Sequence, residues 1–145
     1  MTNLSKELIY RILDANLNRA AEGMRVCEEI TRFILNNRRL TAQFKNMRHQ
    51  ILKFPDIHKR EKFIKQRDSK QDAGRSLLLG ELNRVNYQGI FFANMQRVKE
   101  SIRVLEEFYK LIDQNTAIKF KKIRYHAYEV EKKVAVKLSA LSDIR

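Results

Sequence analysis

The sequence predicts an all-α protein, a single-domain helical bundle of about four main helices with short connecting helices. Only four glycines and one proline occur in 145 residues, so little interrupts long helices. Apolar residues recur at helical spacing, and no stretch shows the alternation of a strand. Because this length suffices for one hydrophobic core, we assign residues 1–145 to one domain.

Capping residues and breakers predict where each helix begins and ends. Asn3 or Ser5 caps a first helix that ends near residues 36–37, and Pro55 ends the second helix. The remaining predicted helices span residues 56–64, 77–82, 86–113 and 117–141, with Asn86 as a cap and residues 115–116 as a turn. The polar stretch 65–76 is predicted to be a loop.

One motif occurs twice, and we expect the chain to be organised around it. Residues 15–29 and 93–107 share the pattern A-N-x-x-R-x-x-E-x-x-R-V-x-E-E at an offset of 78 positions. The repeat units, near residues 12–33 and 90–111, could come from duplication of a helical unit or from two copies of one binding element that meet in the fold. Either origin predicts an internal pseudo-two-fold axis.

A helical wheel places polar residues inside the apolar faces of both repeats. At about 100° per residue, Asn16 and Arg19 fall within one such face, and Asn94 and Arg97 fall within the other. A buried arginine without a partner is costly, so each needs a carboxylate or an anionic ligand. Structural ion pairs with the glutamates three residues further on would meet that need. Because a small residue lies beside each polar insertion, we favour a shared ligand cavity.

Four other charged residues of the repeat fall outside the apolar faces. They are Arg25 and Glu28 in the first copy and Arg103 and Glu106 in the second. We expect surface or interface ion pairs at these positions, and we leave them out of the candidate site.

The charge balance is strongly basic. Thirty lysines and arginines against 17 aspartates and glutamates give a net charge of +13. Such an excess attracts anions, whether phosphorylated metabolites or nucleic acid. A lysine-rich surface, as found in proteins of heat-loving organisms, has the same composition.

The rarer residue types exclude several classes of protein. The single cysteine, Cys27, lies on the apolar face and is expected to be a core residue. The scattered histidines, His49, His58 and His126, form no zinc motif. No run is long enough to cross a membrane and the N-terminus lacks a signal pattern, so we expect a cytoplasmic protein without a membrane partner.

The polar loop offers a candidate metal site. Asp68 and Asp72 lie four residues apart between Arg67 and Gly74. Two carboxylates could hold Mg²⁺, which prefers a few carboxylates together with water and phosphate oxygens. The same residues would also be ordinary in an exposed linker. Composition alone favours the linker interpretation.

The second helix carries Arg48 and His49, two further candidates. Arg48 suits anion binding, because a guanidinium offers a two-pronged donor to phosphate. His49 could carry a proton or contact phosphate, although a single histidine on a helix is more often a structural group. No Walker A, G-x-G-x-x-G or G-x-S-x-G motif occurs, so the familiar nucleotide-binding folds have no support.

Four motifs in this order resemble a family of small hydroxymethylpyrimidine-phosphate kinases. They are D-A-N-L-N-R-A-A-E-G-M-R-V-C-E-E at 14–29, K-x-x-R-H at 45–49, R-D-x-x-x-D-x-G at 67–74 and A-N-x-x-R-x-x-E at 93–100. The resemblance runs from about Ile12 to Lys110. The long first motif is the specific one, and the other three gain weight from their order.

The resemblance implies an enzyme of thiamine biosynthesis. Its reaction would be ATP-dependent phosphorylation of 4-amino-5-hydroxymethyl-2-methylpyrimidine phosphate to the diphosphate, with little or no action on the unphosphorylated pyrimidine. In many members the domain is fused ahead of thiamine-phosphate synthase, which implies a functional link to that enzyme. The acceptor phosphate is already an anion at neutral pH, so catalysis is a matter of positioning and charge neutralisation.

Our hypothesis for the site follows from this chemistry. Arg19 and Arg97 face one cavity with Arg48 and clamp the phosphates, while Asn16 and Asn94 orient the pyrimidine or phosphate oxygens. His49 is a further substrate-binding candidate. On the loop, Asp68 and Asp72 bring Mg²⁺ with ATP as the phosphoryl donor, and Arg67 stabilises the transferring group.

Two alternatives without catalysis remain open. A basic helical module could bind nucleic acid, but arginines on apolar faces and the lack of a helix-turn-helix or an aromatic platform argue against it. A structural homodimer could instead use the repeats as its interface. Folded variants lacking Asn16 or Arg19 would then lose assembly and not turnover.

Overall fold

The computed structural model describes residues 1–76 and 79–144, with the side chains of 57, 58, 79, 80 and 142–144 left aside. Five α-helices span α1 (Asn3–Glu29), α2 (Arg38–Lys53), α3 (Ile57–Lys65), α4 (Tyr87–Tyr109) and α5 (Gln114–Ile144). A π-helical turn, Ile30–Ile34, prolongs α1, and a 3-10 turn spans Leu79–Leu82. These ranges contain no strand, which confirms the all-α prediction, and none of their helices is long and apolar enough to cross a membrane.

Side-chain caps decide where α1 and α4 begin. Thr2 caps α1, since its hydroxyl accepts a hydrogen bond from the backbone N–H of Ser5 at 3.1 Å. The prediction of Asn3 or Ser5 as the cap was therefore wrong. Asn86 caps α4 as predicted, accepting from the N–H of Gly89 at 2.9 Å.

Two other boundaries differ from the sequence prediction. Residues 115–116 lie in the first turn of α5 and not in a loop, because Asp113 precedes the helix and accepts a hydrogen bond from the Thr116 hydroxyl at 2.7 Å. That bond holds the pKa of Asp113 below its usual range. Of the short helix predicted over residues 77–82, Leu79–Leu82 form the 3-10 turn, and residues 77 and 78 lie outside the described residues.

The two repeat helices, α1 and α4, pack against each other at the centre of the bundle. Glu22 of α1 pairs with Arg97 of α4, whereas Cys27, further along α1, contacts Phe91, which comes earlier in α4. The two helices are therefore antiparallel. On the outer sides, α2 packs against α1 and α5 packs against α4, while α2 also touches α5. The enclosed core is apolar, and its largest fully buried side chains include Phe44, Phe63, Phe91, Phe120, Met24 and Met95. Burying each such side chain contributes roughly 1.5–3 kcal/mol.

The two repeats adopt the same local structure. The amide of Asn16 donates a 2.8 Å hydrogen bond to the carbonyl of Ile12, and the amide of Asn94 donates one of the same length to Ile90. Since α1 and α4 are antiparallel and equivalent residues lie 78 positions apart, an approximate two-fold axis passes near Ala20 and its equivalent in α4. The pseudo-two-fold repeat predicted from the motif is present in the fold.

Two glutamates expected in surface or interface pairs are buried inside the bundle, so the surface alternative was wrong for them. Glu28 is 4% exposed and accepts from Arg48 Nε at 3.1 Å, and Glu106, also 4% exposed, accepts from Arg124 Nε at 2.7 Å. The arginine three residues before each glutamate stays half exposed and pairs with it, as expected. The wheel missed the burial because α1 packs against α2, α3 and α4, and α4 packs against α1 and α5, which widens the covered arc beyond the apolar face.

Candidate functional site

The loop between α3 and α4 crosses the middle of α1 and is fastened there. Arg67 donates through Nε and Nη2 to the two carboxylate oxygens of Asp14, at 2.6 and 2.7 Å. Asp14 is buried, whereas the Arg67 side chain is 43% exposed. These hydrogen bonds raise the pKa of Arg67, so the guanidinium stays charged.

Two aspartates give this loop its local shape. Asp68 Oδ1 accepts from the N–H of Gln71 at 3.2 Å, and Asp72 Oδ1 accepts from the N–H of Gly74 at 2.8 Å. Turns of this kind are a common use of aspartate in loops. In each carboxylate, Oδ2 has no hydrogen-bond partner within the described part of the chain.

A first cleft, which we call the loop cleft, lies between α1 and the loop. Its volume is about 290 Å³. It is lined by Arg11, Asp14, Ala15, Asn18, Glu22, Arg67, Asp68, Ser69 and Asp72. The loop cleft therefore brings Arg67, Asp68 and Asp72 together, as the sequence hypothesis required of them.

A second cleft, the repeat cleft, lies between α1 and α4 and has a volume of about 470 Å³. It is lined by Asn16, Arg19, Gly74, Glu81, Arg97, Glu100, Ser101 and Val104. Arg19 and Arg97 are equivalent residues of the two repeats, so this cleft lies beside the pseudo-two-fold axis. Gly74 of the loop also lines it and is two residues from Asp72 in the loop cleft.

Both repeat arginines are exposed, so the prediction that they lie inside apolar faces was wrong. Arg19 lies about 100° around α1 from the buried Ala20, which places it at the edge of the packed face. Arg97 Nη2 lies 3.8 Å from Glu22 Oε2 on the other helix, a loose pair between two exposed side chains. Arg19 has no carboxylate partner among the described residues.

The other predicted substrate ligands are dispersed. Asn16 lines the repeat cleft and is buried, but Asn94, half buried, lines neither cleft. Arg48 is held by Glu28, and His49 is exposed on α2; neither residue lines a cleft with Arg19. Arg48 therefore does not join the arginine pair as the hypothesis proposed, because its guanidinium is engaged in the buried ion pair.

The fit of a metal ion can be judged from the carboxylates. Across the described ranges, no group of three or more His, Cys, Asp or Glu residues could hold a metal ion. Mg²⁺ that arrives with a nucleotide needs fewer protein ligands, because phosphate oxygens and water complete its octahedron. Asp68 and Asp72 line one cleft and are carboxylates, so their chemistry fits this smaller requirement.

Sequence reasoning overlooked Asp14. The equivalent residue of the second repeat is Phe92, which is 46% exposed, so the two copies differ sharply at this position. That difference was the signal that the sequence offered, because Asp14 of the first repeat holds the loop through Arg67. Arg11, Asn18 and Glu81 were also overlooked, and they carry no comparable signal, whereas Glu100 belongs to the repeated motif.

Cys27 is a core residue, as predicted, and lies fully buried between α1 and α4. Burial raises the pKa of its thiol, and the negative charge of Glu131 adds to the shift. The thiol therefore stays neutral at physiological pH and is a poor nucleophile.

The fold and the two clefts define a class of protein: a helical bundle with an internal repeat and a cleft beside its axis that is lined by an arginine from each copy. A model of the ThiD2 family matches residues 11–133. The chain belongs to this family.

Among curated proteins the chain is similar to thiamine-phosphate synthases. It is 40% identical to that of Nostoc punctiforme over 127 residues, which cover 87% of this chain and 35% of that protein. It is 35% identical to that of Rhodopirellula baltica over 143 residues, which cover 98% of this chain and 38% of that protein. The chain thus spans little more than a third of these relatives. No solved structure matches it.

Proposed function

We propose that this protein is an ATP-dependent kinase that converts 4-amino-5-hydroxymethyl-2-methylpyrimidine phosphate to the diphosphate in thiamine biosynthesis. The observation that carries the proposal is the pairing of Arg19 and Arg97, from two repeats, in one cleft that is also lined by Gly74, from the loop of Asp68 and Asp72. Membership of the ThiD2 family and the names of the relatives support the pathway. A functional link to thiamine-phosphate synthase and a cytoplasmic location belong to the same proposal.

The arginine pair fits the main difficulty of this reaction. Two phosphorylated molecules must approach until an anionic oxygen of one meets the terminal phosphorus of the other, and their charges repel. Arg19 has no acidic partner among the described residues, and Arg97 has only a loose one in Glu22, so both can serve phosphate oxygens. A volume of about 470 Å³ lies within the usual range for small-molecule sites.

The loop supplies the second set of groups. Asp68 and Asp72 would hold Mg²⁺ through Oδ2, and the bound ion would withdraw charge from the phosphates. Arg67 keeps the loop on α1 through Asp14, while its Nη1 takes no part in that pair and remains for a phosphate oxygen. Asn16, buried at the edge of the repeat cleft, would orient the acceptor through its amide oxygen, since its nitrogen is bonded to Ile12.

The test is ADP release from ATP and Mg²⁺ with the pyrimidine monophosphate as acceptor, run beside the unphosphorylated pyrimidine. We expect turnover of the monophosphate only, because the arginine pair recognises a phosphate. A protein that is folded by circular dichroism but turns over neither compound would overturn the proposal. Equal turnover of both compounds would retain a kinase but contradict the assigned role of the arginines.

A further inference from the structure

A cationic hollow lies at the C-terminal end of α1, where the chain turns into α2. This turn pocket has a volume of about 520 Å³, and four cations line it against a single acid, Glu28. The cations are Arg25, Arg32, Arg38 and Lys45. At 1.5 Å per residue, Arg32 lies ~20 Å along the helix from Arg19, so the turn pocket is separate from the repeat cleft.

The single acid is already engaged. Glu28 Oε2 lies 3.1 Å from Arg48 Nε and 3.5 Å from Arg25 Nη1. Since its side chain is only 5% exposed, no further cation can reach it from solvent without displacing one of these partners. The remaining positive charge of the turn pocket is therefore not balanced by Glu28.

Three cations around the pocket are unneutralised. Across the described residues, Arg32, Arg38 and Lys45 form no ion pair with a carboxylate. Arg38 is also the first residue of α2, where the helix macrodipole places partial positive charge and no acidic residue follows in the first turn. These charges repel one another, and a bound anion would remove the repulsion.

The second half of the chain provides an internal control for this arrangement. The ion pairs Arg48–Glu28 and Arg124–Glu106 are equivalent, so α2 maps onto α5 at an offset of 124 − 48 = 76 positions. The equivalent hollow, about 400 Å³, has Gln114 in place of Arg38. The second half of the chain therefore forms the same helical hairpin without an arginine at this position, so the fold does not require Arg38.

The charge that remains in the second hollow is also better neutralised. Lys110, the equivalent of Arg32, lies 2.7 Å from Glu107. Ala117 replaces the hydroxyl of Thr41, so the floor of the second hollow is less polar. Only the first half of the duplication retains a concentrated positive charge.

We propose that the turn pocket binds a small phosphorylated molecule that carries at least two negative charges. Each guanidinium group, of Arg32 and of Arg38, can donate two parallel hydrogen bonds to phosphate oxygens, and Lys45 adds a point charge. The volume suits a metabolite and not an extended chain. This site does not depend on the proposed kinase reaction.

The test follows the backbone amides of ¹⁵N-labelled protein by NMR during titration with inorganic pyrophosphate at constant ionic strength. We expect saturable shifts at residues 32–45, while binding at the repeat cleft would move residues 16–22 and 97–104 instead. The double variant Arg32→Gln/Arg38→Gln should bind about tenfold more weakly or worse. The matched control Lys110→Gln/Lys121→Gln removes the same charge from the second hollow and should bind like the parent protein.

Three outcomes would overturn the proposal. One is the absence of saturable shifts at residues 32–45, which would leave any kinase activity unaffected. Another is an equal loss of pyrophosphate affinity in both double variants, which would show that binding depends on net charge and not on the turn pocket. The third is a response of these amides to a short RNA but not to pyrophosphate, with steep salt dependence, which would make the surface a nucleic-acid contact.

Discussion

Asp14 and Arg67, which lie 53 residues apart in the chain, are joined by two hydrogen bonds of 2.6 and 2.7 Å. The carboxylate is buried in α1 and the guanidinium belongs to an exposed loop, so the pair fastens the loop across the helix. Gly74 lines the repeat cleft and Asp72 lines the loop cleft. One ion pair therefore sets the position of the loop in both candidate sites.

Replacing Asp14 by Asn should loosen the loop while leaving the bundle folded. The substitution keeps the size of the side chain but removes the charge from both hydrogen bonds, at a cost of about 1 kcal/mol because Arg67 is partly exposed to solvent. Trypsin should then cut faster after Lys70 and Arg75. Limited proteolysis and thermal unfolding by circular dichroism measure the two effects.

The control for this experiment is Asp68→Asn in the same loop. Asparagine can still accept the hydrogen bond from Gln71, so the cleavage rate should stay at the parent value. If Asp14→Asn also leaves the trypsin rate unchanged, the pair does not hold the loop.

The buried ion pairs of the two repeats should be major contributors to stability. Glu106→Gln leaves Arg124 without its carboxylate in a site where the arginine is only 13% exposed. Removing one partner of such a pair costs about 2 to 4 kcal/mol. Urea unfolding measures the loss, and Glu28→Gln should give a similar value because its pair with Arg48 is equivalent.

Glu107→Gln is the matched control for these pairs, since Glu107 is the neighbouring residue on the solvent side of α4. Its pairs with Arg103 and Lys110 are exposed and screened by water, so the loss should be much smaller. Comparable losses for Glu106→Gln and Glu107→Gln would argue that burial does not strengthen the pair.

The helical class and the internal symmetry could be predicted from sequence because both depend on local signals. Scarce glycine and proline, the cap at Asn86 and the repeated motif each act over a few residues or a constant offset. The cap of α1 was misplaced because several polar residues near the N-terminus can accept the same hydrogen bond. Thr2 takes the role since its hydroxyl reaches the N–H of Ser5.

The ion pairs between elements could not be predicted in the same way. Whether Glu28 is buried depends on where α2 packs, and a wheel of α1 contains no information about that helix. Arg48 looked like a phosphate ligand because the sequence does not reveal its partner across the bundle. Arg19 and Arg97 line one cleft without Arg48, they are exposed and not buried, and their catalytic role stays a prediction.

Gly23 should tolerate no side chain, because α4 lies directly against α1 there. A Cβ atom at this position would lie 2.7 Å from Val98 Cγ2 and 3.1 Å from the carbonyl oxygen of Asn94. Gly23→Ala should cost about 1–3 kcal/mol through overpacking, despite the better helix propensity of alanine. In contrast, Gly89→Ala meets only Asn86 Oδ1 at 3.5 Å and should be neutral or slightly stabilising. Thermal unfolding of the two variants side by side decides the point, and equal midpoints would refute a close helix contact at Gly23.

The repeat arginines should matter for turnover and not for folding. Arg19→Gln and Arg97→Gln remove exposed charges from the repeat cleft, so the unfolding midpoint should hardly move. If these side chains neutralise the phosphates in the transition state, kcat/KM for the pyrimidine monophosphate should fall by about a hundredfold or more. The loss should be larger for Arg19, because Arg19 forms no ion pair with an acid in the described structure, whereas Arg97 pairs loosely with Glu22.

Arg48→Gln should give the opposite result: a lower unfolding midpoint, with kcat/KM of the folded fraction near the parent value, because Arg48 is committed to Glu28. Arg75→Gln, an exposed loop cation that lines neither cleft, controls for the loss of net charge. Steady-state kinetics on these four variants separate the roles. A folded Arg19→Gln protein with parental kinetics would show that the repeat cleft takes no part in the reaction. A large loss of kcat/KM in folded Arg48→Gln would indicate that Arg48 contacts the substrate.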